Sequence, residues 1–296
     1  MLTLILLLAP VLSAHAVEMH ACTPASEAQK PVLLWSTKGF SKPESVVFDA
    51  RSKTYFVSNL AGGGKEKDGI GWISKLDSRG KIVKARWVQG LNAPKGLAIQ
   101  NDLLWVSDID SIAAFDLKAG KRAQLIQVPG AQFLNDVVAS KTQVFVTDMM
   151  TNRIHAVEGD AQHVFMQGAE LDSPNGITFS AQGLLLASWG HDLQPDFSTP
   201  TPGRVFDIDL QTKAMTAWTA KPLGNLDGLE RDGTDAVIVS DWNAGKVFHL
   251  KRSGECRILL EGFKGSADLT FLPDSRTLVL PLMGEDRVVA YRVPMF

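Results

Sequence analysis

Six polar residues recur at the same position of a repeated phrase, and most of them offer oxygen ligands. Carboxylate and amide oxygens suit a hard divalent cation. We expect calcium first, with magnesium, manganese and zinc as alternatives, if the fold brings these side chains together. The phrases are KPESVVFD, APKGLAI, FLNDVVA, SPNGITF, NLDGLERD and GSADLTF. Their lead residues are Glu44, Lys95, Asn135, Asn175, Asp227 and Asp268.

The spacing of these phrases predicts the fold. The lead residues are 51, 40, 40, 52 and 41 positions apart. A second set of segments ends 13 to 15 residues after each lead residue: YFVSN, LWVSD, VFVTD, LLASW, VIVSD and LVLPL. A period of about 40 residues with several short strands per unit is the signature of a β-propeller. We therefore predict an all-β, six-bladed propeller whose lead residues converge on the axis. The competing interpretation is that Asn and Asp serve only as turn residues.

The closure of the ring also follows from the repeat. Most units contain four short strands, but the sixth has three before the chain ends. The segment PVLLWSTKGF, residues 31–40, resembles the fourth strands of other units, such as CRILLEGF at residues 256–263. We expect residues 31–40 to complete the last blade, because closure removes open sheet edges.

Two insertions account for the long steps. They are residues 61–70 and 190–203, and each follows the second strand of its unit. Strands alternate in direction within a blade, so both insertions should border the face that carries the lead residues. We expect Phe133, Trp189 and residues 190–203 to shape an apolar pocket there. Of the histidines, His191 alone is placed to reach that face, and we expect a surface role for it.

Three further residues bear on the site. An ammonium group from Lys95 near the axis would repel a cation. Lys95 should therefore point aside and extend outward, or pair with Asp136 or Asp268. Asp148 and Asp241 end second strands and are candidates to orient the ligands from behind. Turn chemistry is the alternative for such Ser-Asp and Thr-Asp pairs.

Composition and the N-terminus limit the classes of function. The 296-residue chain has a net charge of −2 and no basic run, so we expect no nucleic-acid partner. Residues 1–16 read as a secretory signal ending at Ala14-His15-Ala16, followed by a tail at 17–30 and the propeller at 31–296. We expect an exported, periplasmic or secreted protein with no transmembrane segment in the mature chain. A lipid anchor on Cys22 is a weaker alternative.

The two cysteines, Cys22 and Cys256, leave two possibilities open. Export permits a disulfide that fastens the N-terminal tail to an outer strand. Two unrelated thiols are equally compatible with the sequence, because spatial proximity cannot be read from it.

The phrases around Glu44, Asn175 and Asp227, together with the pair Asn135-Asp136, resemble the senescence-marker-protein/gluconolactonase family, which includes regucalcin. The resemblance covers residues 30–294. It implies a six-bladed propeller with an axial divalent metal held by Glu44, Asn135, Asn175 and Asp227. It also implies hydrolysis of a lactone or ester, with Asp227 as the base. Phe133 and Val137 depart from that family's pattern, which puts a sugar-acid lactone substrate in doubt.

Two functional hypotheses follow. The first is an exported metal-dependent hydrolase that acts on a small lactone or ester. The second is a non-catalytic binding or scaffold module, since VFVTDMMTNRIHAV and VIVSDWNAGKVFHL also resemble NHL-type propeller repeats. Propellers host both classes. A pocket blocked by Lys95 paired to Asp227 would favour the second.

Overall fold

The computed structural model describes residues 17–296, which form six blades arranged as a β-propeller, each built on four antiparallel strands. Each innermost strand contacts the innermost strand of the next blade, and the last contacts the first. The predicted six-bladed, all-β architecture is confirmed. The predicted signal segment, residues 1–16, lies outside the described residues.

The strands run from the axis outwards in each blade. Blade 1 comprises Pro43–Asp49, Thr54–Asn59, Gly71–Asp77 and Ile82–Leu91. Blade 2 comprises Pro94–Gln100, Leu103–Asp108, Ser111–Asp116 and Arg122–Gln127. Blade 3 comprises Leu134–Ala139, Val144–Asp148, Arg153–Glu158 and Ala161–Gln167. Blade 4 comprises Pro174–Phe179, Gly183–Ser188, Val205–Asp209 and Met215–Ala217. Blade 5 comprises Leu226–Arg231, Ala236–Asp241, Lys246–Lys251 and Cys256–Leu260. Blade 6 comprises Thr270–Leu272, Thr277–Leu282, Arg287–Arg292 and the N-terminal strand Val32–Lys38.

Helical structure is minor. Within residues 17–296 it consists of single 3-10 turns at Glu27–Gln29, Ala169–Leu171, Pro273–Ser275 and Met283–Glu285. No helix in this part of the chain has the length and apolar character needed to span a membrane.

The apolar core is divided among the interfaces between blades. Each pair of neighbouring sheets shares one cluster of buried side chains, and the cluster between blades 6 and 1 closes the series. Alternating apolar residues on both faces of every sheet supply these clusters. A blade therefore loses core contacts on both sides if a neighbour is removed, which makes closure of the ring energetically important.

A bulge in the innermost strand places each lead residue of blades 1 to 5. Pairing with the second strand is interrupted at the lead residue and the residue after it, for example between Leu134 and Val137 and between Pro174 and Ile177. A bulge bends the strand and redirects its side chains. The repeated phrase thus encodes a bulge, and the bulge presents its lead side chain at the axis.

Buried hydroxyl groups join the bulges of blades 3 and 5 to the next blade. Thr147, in the second strand of blade 3, accepts a hydrogen bond from the Asp136 amide at 3.0 Å and donates one to the Asn175 carbonyl at 2.8 Å. Ser240 does the same between Gly228 and Ala267 in blades 5 and 6, at 2.8 and 2.9 Å. The Ser or Thr of the second repeated segment therefore fixes where neighbouring lead residues lie.

Gly176, directly after Asn175, permits close approach between blades 4 and 5. A Cβ atom at Gly176 would overlap the backbone oxygen of Asp227. We predict that Gly176→Ala lowers the free energy of unfolding by about 1–3 kcal/mol or more, as overpacking does. Gly63→Ala is the control, because its Cβ would meet only the exposed, flexible side chain of Glu66. Urea melts that place both variants within about 0.5 kcal/mol of the parent would contradict this account.

The N-terminal strand closes the ring as predicted. Val32–Lys38 pairs antiparallel with Arg287–Arg292 as the outermost strand of blade 6. The strand also contacts blade 1, because the Thr37 hydroxyl donates to the Gly80 carbonyl at 2.7 Å and Trp35 packs edge-on against Tyr55. The first and last parts of the described chain are thereby joined.

A disulfide fastens the segment before the closing strand. Cys22 is bonded to Cys256, 234 residues away in the chain. Thr23–Pro24 adds a short parallel fifth strand to the outer edge of blade 5. The alternative of two unrelated thiols is therefore wrong, and the sulfur of Cys22 is not available for a lipid anchor.

Loss of this disulfide should destabilise the protein. We expect the free energy of unfolding of the Cys22→Ser/Cys256→Ser double variant to be about 2–5 kcal/mol lower than that of the parent, because the crosslink restricts the unfolded chain. Thermal melts with and without dithiothreitol provide the check. The reductant should lower the melting temperature of the parent and leave the double variant unchanged. A parent that does not respond to full reduction would contradict the prediction.

Candidate functional site

The six lead side chains are buried together at one end of the propeller axis. None is more than 7% exposed. The Asn135 amide donates to Asn175 Oδ1, and Asn175 Nδ2 donates to the Leu226 carbonyl at 3.0 Å. These bonds fix the Asn175 amide with its oxygen towards Asn135. The two predicted amide ligands are thus in contact.

The two predicted carboxylate ligands lie in the same group. Burial raises the pKa of Glu44, and the nearby charges of Asp227 and Asp268 raise it further, while Lys95 lowers it. Burial also raises the pKa of Asp227, followed by repulsion from Asp268 and Asp241. Glu44 Oε2 is a buried oxygen without a hydrogen-bond partner among residues 17–296. The structure therefore gathers carboxyl groups here and leaves one of their oxygens without a hydrogen bond.

Asp268 completes this acidic group without being a predicted ligand. Its carboxylate accepts a hydrogen bond from the Ser45 hydroxyl at 2.5 Å. Burial raises the pKa of Asp268 to about 7, against the opposing effect of that hydrogen bond. Its backbone amide donates to the Glu44 carbonyl at 2.9 Å, which joins blades 6 and 1 at the axis.

Lys95 adopts neither of the arrangements expected from the sequence. It is 1% exposed, so it does not extend to solvent. Its ammonium donates to the carbonyls of Gly64 at 3.0 Å and Ala93 at 3.1 Å and lies 4.2 Å from the Phe133 ring centroid. Asp136 and Asp268 do not pair with it in the described chain. Two carbonyls and an aromatic face accept the charge instead, and burial lowers the pKa of Lys95 to about 8.

The strand-end carboxylates support the loops that precede the lead residues. Asp148 accepts from the Gln132 and Phe133 amides at 3.1 and 3.0 Å and from the Thr151 hydroxyl at 2.6 Å. Asp241 accepts from the Ala244 amide at 3.0 Å. Neither hydrogen bonds to a lead side chain in the described chain. Their contact with the candidate site is through backbone, as the turn interpretation proposed.

An apolar group, which we call the lid cluster, lies on the same face. Its buried members are Phe133, Met149 and Trp189. Partly buried side chains pack against them: Met150, Leu193, Phe197 and Trp242. The Phe133 and Phe197 rings are 5.3 Å apart, and Trp189 Nε1 donates to the Phe197 carbonyl at 2.9 Å. The structure thus brings Phe133, Trp189 and the 190–203 insertion together.

The two insertions meet above the lead residues. Gly64, in the first insertion, accepts from Lys95, and a Cβ atom there would touch the Phe133 ring. The second insertion contains a short two-stranded ribbon, Gly190–His191 with Thr201–Pro202. Asn225 ties that insertion to blade 5 by donating to the Trp189 carbonyl at 2.9 Å. Both insertions therefore border the face that carries the lead residues.

Asp136, next to Asn135 in the chain, borders a separate cavity. Together with Glu230 and Asp268 it lines a cavity of about 300 Å³ whose remaining walls are largely aliphatic. Its carboxylate accepts from the Ile177 amide at 2.8 Å and the Val137 amide at 2.6 Å. Asp136 therefore serves to join blades 3 and 4.

The sequence did not reveal two features of this region. Hydroxyl groups such as Thr147 position the bulges, and the Ser or Thr that recurs in five of the six second segments was the available signal. His191 Nδ1 lies 2.8 Å from Asp172 Oδ1, a pairing between two loops that no spacing indicated.

Among residues 17–296, no group of three or more His, Cys, Asp or Glu side chains is arranged to hold a metal. The predicted ligand set, with two amides, is of a different kind.

Comparison with known proteins identifies the fold. No protein-family model and no curated protein matches the sequence. A streptogramin B lyase structure matches with a TM-score of 0.59 at 12% identity, covering 91% of this chain and 100% of that one. A catalytically inactive virginiamycin B lyase from Staphylococcus aureus, with quinupristin, gives 0.58 at 14% identity, covering 88% and 99%. The Pan2 WD40 domain of Neurospora crassa gives 0.59 at 9% identity, covering 92% and 98%. At these identities the likeness establishes a propeller and nothing finer.

Proposed function

We propose that this protein hydrolyses a small lactone or ester and holds a divalent cation at the propeller axis. Calcium is the cation that we expect first. Glu44, Asn135, Asn175 and Asp227 would hold the cation. The observation that carries the proposal is that all four side chains are buried, with Asn135 in contact with Asn175 and with Glu44 Oε2 unsatisfied in the described chain. Buried charges are ordinarily paired or bound to metals. An oxygen-only set of two carboxylates and two amides fits a hard dication.

The chain's own groups would perform the remaining tasks. A bound divalent cation polarises a carbonyl oxygen. Asp227, buried at the axis, would accept a proton from the attacking water. Water oxygen then bonds to the carbonyl carbon, the bond to the leaving oxygen breaks, and that oxygen takes up the proton. The lid cluster would exclude bulk water and hold the apolar part of the substrate.

The position of Lys95 also supports this proposal. Pairing of Lys95 with Asp227 would have blocked the axis, whereas its ammonium is directed to Gly64, Ala93 and Phe133. Lys95 is thereby held beside the lid cluster by backbone acceptors. The axial face of Asp227 is left to a ligand.

One observation favours the alternative of a non-catalytic binding or scaffold module. Every lead residue is at most 7% exposed, so a substrate reaches the group only after the insertions move. In that case the lead residues would hold the blades together, with or without a metal.

Hydrolysis measured with and without calcium separates the two proposals. The protein is stripped with a chelator, reloaded with calcium, and assayed on a panel of lactones and aryl esters. We expect calcium loading to raise turnover above that of the stripped protein, and equal calcium-dependent turnover in Asp274→Asn, a control at an exposed turn. Calcium binding without turnover of any panel member would favour the binding module.

We further propose that the protein is exported. The Cys22–Cys256 disulfide supports this, because such bonds persist mainly in oxidising compartments. Detection of the chain in the periplasm or medium, with its N-terminus near residue 17, would test it.

A further inference from the structure

A second concave site lies on the lid face, between blades 3 and 4. It is a cavity of about 410 Å³, a size that accommodates a small organic molecule. Met149, Met150 and Leu193 supply apolar lining, and Lys65, Gln132 and His191 supply polar groups. The axial group does not line this cavity. The residues that line it therefore need a separate explanation.

His191 and Asp172 form a fixed pair in this cavity. The 2.8 Å contact from Nδ1 to Asp172 leaves Nε2 as the ring nitrogen available to a ligand. The nearest other carboxylate, Asp192, is 3.7 Å from Nε2, beyond hydrogen-bond distance. A carboxylate on one imidazole nitrogen sets the tautomer that leaves the other nitrogen basic, as in the catalytic triads of hydrolases.

The backbone holds this pair in place. The Trp189 amide donates to the Ser173 carbonyl and the Gly190 amide to the Asp172 carbonyl, each at 2.9 Å. His191 is also paired with Thr201 in the short ribbon of the second insertion. The loop that carries the carboxylate is thus joined to the residues directly before His191, and the short ribbon holds His191 from the other side. Such support is what an acid–base site needs.

We propose that this cavity is a second, metal-independent hydrolytic site, in which His191 acts as general base on a small alkyl lactone or ester. The alkyl part would lie against Met149, Met150 and Leu193, whose flexible side chains suit an unbranched chain. Nε2 takes a proton from water, and the water oxygen bonds to the carbonyl carbon. The carbonyl electrons move to its oxygen, facing the Lys65 ammonium, and return as the ring C–O bond breaks. The departing oxygen then recovers the proton from Nε2.

The charges around His191 are consistent with this role. The hydrogen bond that His191 donates to Asp172, then the charge of Asp192, raise the pKa of His191, while its limited burial opposes them. Lys65, from the first insertion, is the cation that lines the same cavity. Lys65 Nζ lies 3.9 Å from Met150 Sδ and makes no ion pair within 4.0 Å in the described chain. It is therefore available to a developing oxyanion.

The test is hydrolysis of δ-decalactone by chelator-treated protein, followed by pH-stat. An unactivated lactone is chosen because any exposed imidazole attacks activated aryl esters. We expect turnover above the buffer rate that increases with pH as His191 loses its proton. His191→Gln should reduce it on the order of 10²-fold or more. Asp172→Asn should lower the rate and move the ascending limb to lower pH, because the carboxylate that raises the pKa of His191 is gone. His163→Gln, at an exposed outer strand, should change nothing.

Equal chelator-resistant rates in the parent and His191→Gln would overturn the proposal, as would an equal loss in His163→Gln. Melting temperatures within 1–2 °C, roughly the effect of a small surface change, would show that the His191 variant is folded. The axial proposal is scored separately: calcium-dependent turnover that needs Asp227, with no turnover in the chelator-treated parent, would uphold the axial site and reject this one. Chelator-resistant, His191-dependent turnover without calcium binding would uphold the His191 site and reject the axial site.

Discussion

Deletion of residues 31–40 is expected to prevent folding. The strand Val32–Lys38 is the outermost of blade 6 and also contacts blade 1, so its loss opens an edge and exposes the cluster between these blades. An open β-edge with adjacent apolar surface promotes aggregation. We expect insoluble or aggregated material in size-exclusion chromatography and no cooperative thermal transition.

A second deletion is the control. Removing residues 17–30, with Cys256→Ser, takes away the disulfide and the short fifth strand of blade 5 but retains the closing strand. This variant should fold and melt at a lower temperature than the parent. A soluble, monomeric and cooperatively melting protein lacking residues 31–40 would show that closure is dispensable.

The second large effect concerns Asp227. Asp227→Asn should abolish calcium-dependent hydrolysis, with a loss on the order of 10²–10⁴-fold from the missing base alone. The same change should raise the melting temperature of the metal-free protein, because it removes a buried charge crowded by Glu44 and Asp268. Active sites often carry such a cost in stability.

This pair of outcomes distinguishes chemistry from structure. Asp274→Asn, a solvent-exposed carboxylate in a turn of blade 6, should leave both activity and melting temperature unchanged. If Asp227→Asn retained calcium-dependent hydrolysis, Asp227 would not be the base. If it destabilised the metal-free protein by several degrees, the carboxylate would be a structural element of the ring.

The fold could be predicted because the chain repeats its own strand pattern. A blade consists of four strands of similar length, so the spacing of Asn135, Asn175 and their equivalents determines the number of blades. The missing strand of blade 6 and its replacement near Trp35 followed from the same counting. The bulges could not be predicted, because strand patterning does not reveal where pairing is interrupted.

The directions of individual side chains were harder to predict from the sequence. Lys95 is oriented by the Gly64 carbonyl, which belongs to an insertion in a different blade. The contact between Asp172 and His191 depends on how two loops pack. Both cases involve loop conformations, which the short-range sequence does not determine. The shared burial of the lead residues was accessible because it relies only on the equivalence of repeat positions.

Metal content together with calcium-dependent thermal shift tests the central claim most directly. The purified protein is measured beside Glu44→Gln and Asp227→Asn, after chelation and after addition of calcium. We predict one bound divalent cation and a rise in melting temperature in the parent, and neither in the two variants. Absence of metal and of any shift in the parent would contradict the axial site, and the lead residues would then serve only to join the blades.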